Sequence, residues 1–63
     1  RVYPMRIVTV SWKAGNFVVT DQGIVIWSGP PSLWHFLQDA IHGAGIRFTD
    51  QVAMQEYLKH YPN

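Results

Sequence analysis

Three side chains in the middle of the chain have the types and spacing to act together. His35, Asp39 and His42 stand at i, i+4 and i+7. On a helix that spacing gathers them on one face. Two imidazoles with a carboxylate can hold zinc or iron. A working centre also needs a further ligand or an open position, and partners that orient the rings. No further ligand stands nearby, because His60 belongs to a separate segment. The same residues make an ordinary solvated helix face, and that reading takes precedence. No metal and no cofactor is therefore expected.

Ser28 or Ser32 with His35 and Asp39 sketches a nucleophilic triad. Such triads are recognised by geometry and supporting groups, not by residue types alone. Ser28-Gly29-Pro30 lacks the strand–turn–helix G-x-S-x-G pattern of a nucleophile elbow. No oxyanion hole is indicated. Gly43-Ala44-Gly45 ends a helical pattern instead of opening one after a strand, so it is not a phosphate cradle. A chain this short has little room for a ligand pocket of about 300 Å³. The protein is expected not to be an enzyme.

Aromatic and basic residues offer a different chemistry. Trp12, Trp27, Phe17 and Tyr3 fall on or near extended segments, with Arg6 and Lys13 close in sequence. A sheet with exposed rings and flanking cations can stack the bases of a single strand. Arg6, Lys13, Trp12 and Trp27 would form that surface. The competing reading puts the same rings in the core or in a dimer seam, and it is preferred. The five basic residues are scattered and form no stripe that could track phosphates.

The elements that must position these residues follow from periodicity. Residues 5–12 read as a strand, with Val8, Val10 and Trp12 alternating against Ile7, Thr9 and Ser11. Lys13-Ala14-Gly15-Asn16 is a turn, residues 17–20 a second strand, and Asp21-Gln22-Gly23 a second turn. Residues 24–27 form a third strand, apolar at every position. That continuity calls for burial on both faces or for an interface. Connections this short favour adjacent antiparallel strands. Pro30 and Pro31 end the sheet and open a helix over residues 32–42. Its stripe is Leu33, Phe36, Leu37, Ala40 and Ile41. Gly43 suits a left-handed helix stop.

Residues 46–48 read as a short extended link, with a fourth edge strand as the alternative. Thr49 is expected to cap a second helix that runs to about residue 60, with Phe48 stapled against Ala53. Ala53, Met54, Tyr57, Leu58 and Tyr61 form its apolar side, and Pro62 stops it. The fold class is thus α+β. A three-stranded antiparallel meander is followed by two helices packed on one face, in the order β-β-β-α-(β)-α. Residues 1–63 make one small domain. Met5 suits a start position, which would make residues 1–4 upstream or vector-derived; an internal position in a longer parent suits it equally.

Composition narrows the function. Charged residues are 14% of the chain, against about 25% in ordinary domains, while hydrophobic residues reach 48%. A domain of this size buries only about 60% of its unfolded surface. It usually needs a staple, and without cysteine that staple is not a disulfide. The excess apolar surface points to a partner, most simply a second copy in a twofold dimer. Another protein would serve the same need. Trp12, Phe17, Val25, Trp27 and Trp34 are the expected contact residues. The uncovered sheet face is expected to carry the Val, Ile or aromatic excess. No apolar run approaches the roughly 20 residues of a membrane span, and no signal-peptide pattern is read near Arg6 and Thr9. A small, cytoplasmic, self-associating protein without enzymatic activity is the resulting expectation. A single-stranded nucleic-acid binder is the alternative, and a metal-binding helix face stands behind it.

Overall fold

A computed structural model describes residues 6–60. It contains strands β1 (Ile7–Lys13), β2 (Asn16–Asp21), β3 (Ile24–Gly29) and β4 (Gly45–Phe48), and helices α1 (Trp34–Ile41) and α2 (Gln51–His60). A 3₁₀ turn, Pro31–Leu33, leads into α1. The strands form one sheet in the order β3-β2-β1-β4. The antiparallel meander and the α+β class agree with the sequence reading. The extended link is a true edge strand, and it runs parallel to β1. Met5, Tyr3, Tyr61 and Pro62 lie outside the described residues.

Each hairpin turns through two residues with positive φ. Ala14 and Gly15 have φ of 52° and 81°, and Gln22 and Gly23 have 54° and 84°. Two positive angles in succession make the turn whose twist matches the flanking strands. Glycine occupies the second position of each at no steric cost. Ala14 and Gln22 occupy the first position against their preference. Lys13 and Asn16, the outer residues of the expected turn, pair with each other in the ladder.

The helix-covered face of the sheet is apolar in rows. Val19 faces Val10 and Trp27, and Val10 faces Phe48. Phe17 faces Trp12 and Gly29. Val8 lies beside Ile46. Val8, Val10, Phe17 and Val19 are buried, and Leu37 and Ile41 of α1 and Ala53 and Tyr57 of α2 close over the same side. Burying a side chain of this kind contributes about 1.5–3 kcal/mol, so these few residues dominate the core. Tyr57 packs between two strands, with its ring 6.3 Å from that of Phe17 and 5.3 Å from that of Phe48. Trp12 meets Phe17 edge-on at 4.9 Å. Gly29 is required by this packing: a Cβ there would stand 2.9 Å from Cζ2 of Trp27.

Several local expectations are corrected. Thr49 does not cap α2. Asp50 does, because its Oδ1 accepts the Ala53 N–H at 2.8 Å. The Thr49 N–H is instead held by the Val10 carbonyl at 3.1 Å, as the last rung between β4 and β1. Phe48 therefore packs on Tyr57 and is not a staple for Ala53. The first α-helix starts at Trp34 and ends at Ile41, inside the expected span. Past Ile41 the chain leaves through a tight turn in which His42 is extended and Gly43 has φ 75°. The Ala44 N–H closes that turn on the Ile41 carbonyl at 3.0 Å. Both helical stripes are narrower than expected. Leu33, Phe36, Met54 and Leu58 stay exposed. A small sheet has room beneath each helix for two fully buried side chains, here Leu37 with Ile41 and Ala53 with Tyr57.

Candidate functional site

The uncovered face of the sheet carries the expected Val and Ile, at Ile7, Val18 and Val25, interspersed with hydroxyls. Its rows include Ser28–Val18–Ser11, Val25–Thr20–Thr9–Arg47 and Ile7–Gly45, with Ile7 exposed. No aromatic side chain of the described strands belongs to it. Trp12, Phe17 and Trp27 alternate onto the helix side, where Phe17 is only 1% exposed and the two tryptophans pack half-buried against the core. The ring-bearing platform for single-stranded bases is therefore not assembled on the open face. Its cations are dispersed too. The Arg6 guanidinium donates to Asp21 at 3.1 Å, and Lys13 ends its strand at the hairpin.

The His/Asp constellation does not assemble either. His42 lies beyond the last turn of α1, with ψ 127°, so it leaves the helical spacing that would align it with His35 and Asp39. Among the described residues no group of His, Asp or Glu is placed to hold a metal ion. His35 stacks instead on Trp34, ring centroids 3.8 Å apart. Among the described residues no side-chain hydrogen bond joins Ser28 or Ser32 to His35, or His35 to Asp39. The remaining ion pairs among the described residues are local to one helix, where Glu56 meets Lys59 at 3.4 Å and His60 at 3.6 Å.

What the surface does concentrate is apolar area at one sheet edge. Among the described residues β3 has β2 on one side and no strand on the other. Ile24, Val25 and Ile26 are 69%, 57% and 38% exposed. The continuous apolarity of this strand does not reflect burial on both faces, which corrects the first of the two readings it allowed. A bulge contributes. Val19 pairs with Trp27 and Thr20 with Val25, so Ile26 is the extra residue of the bulge. Leu33 and Phe36, also exposed, follow directly on the 3₁₀ turn and on α1, which packs against β3. Of the expected contact residues, Val25 lies at the centre of this edge, Trp27 at its inner side and Trp34 half-buried on α1. Ile24 and Ile26 were not singled out as contacts from the sequence, although their unbroken apolar run was the available signal. Phe36 was hidden by its helical spacing, which matches a core position.

The opposite edge is different. β4 has four residues and carries the exposed Arg47. Charge and shortness are the usual devices that keep an edge from pairing, and β3 has neither. No helix among the described residues is long and apolar enough to cross a membrane. Comparison with protein-family models, curated proteins and solved structures finds no match.

Proposed function

We propose that this protein is a non-enzymatic module that works by self-association, in its simplest form as a homodimer. One observation carries the reading: Ile24, Val25 and Ile26 stand in water on an edge strand without a single charge. Exposed apolar edge strands are templates for pairing with another chain. A small domain with a thin core also gains most from such a partner. The dispersed serines, histidines and carboxylates support the non-enzymatic part. A cytoplasmic setting suits a chain without cysteine.

Sedimentation equilibrium at micromolar concentration tests the reading. The expected result is a species of twice the 7.2 kDa chain mass. A chain that stays at 7.2 kDa across the concentration range would remove the support.

A further inference from the structure

We draw no further inference here: the strongest candidate, the exposed apolar edge of β3 at Ile24, Val25 and Ile26, belongs to the site already described, and nothing in the structure shows what covers it.

Discussion

On the helix-covered face of the sheet the cross-strand rows read Gly29–Phe17–Trp12 and Trp27–Val19–Val10–Phe48. On the open face, one residue along each strand, they read Ser28–Val18–Ser11 and Val25–Thr20–Thr9–Arg47. The same strands supply both. Strict alternation sends nearly every large ring to one side and leaves hydroxyls and single β-branched residues on the other. The open face is thus already suited to water over β1 and β2. Its exposed large apolar side chains are Val25 on β3 and Ile7 on β1. The exposed hydrophobics of the chain include Ile24, Val25 and Ile26 at the β3 edge and Val52, Met54 and Leu58 on α2, with Ile7 alone on the open side of β1.

The largest expected effect contrasts neighbours on the two faces. Phe17→Ala should cost about 3–5 kcal/mol. A core of this size seldom supplies more than about that, so the variant should be unfolded in water by urea titration monitored with circular dichroism. Val18→Thr, one residue away on the open face, should change stability by less than about 0.5 kcal/mol. A comparable loss at both positions would mean that the open face is packed as well.

Gly29→Ala sharpens the covered side. The added methyl would meet the Trp27 indole at 2.9 Å. Overpacking of this kind costs about 1–3 kcal/mol, and a lower melting temperature with altered tryptophan fluorescence should report it. Asp50→Ala should cost about 1 kcal/mol through loss of the α2 cap. Thr49→Ala should cost clearly less, because the Thr49 contribution is a backbone bond that alanine keeps. The smallest effects lie in the hairpins. Ala14→Asn and Gln22→Asn each place a residue that tolerates positive φ before a glycine, and each should raise stability by up to about 1 kcal/mol in denaturant titration.

Much of this architecture was legible in the sequence. The alternation of Val8, Val10 and Trp12, the paired turns ending in Gly15 and Gly23, and the helix stop at Gly43 are local signals, set by sterics within a few residues. The caps were less legible. Thr49 and Asp50 are both good capping residues, and the choice between them depends on where β4 stops pairing with β1. The site was harder still. Phe17 and Phe36 are the same residue type in equally regular patterns, yet one is buried and the other is 59% exposed. Helical periodicity marks a stripe but not its width, and the width depends on how much sheet lies beneath.

By itself the sequence determined that the chain makes a meander and two helices, which strand faces are apolar, and that 63 residues carry more hydrophobic surface than they can bury. It also located the strand whose polar side is missing. Only the tertiary structure decided that this strand lies at the edge, that β4 inserts parallel beside β1, and that one extra residue, Ile26, bulges the ladder between β3 and β2. Those outcomes depend on pairings between distant segments, and no local propensity encodes which strand is left without a neighbour.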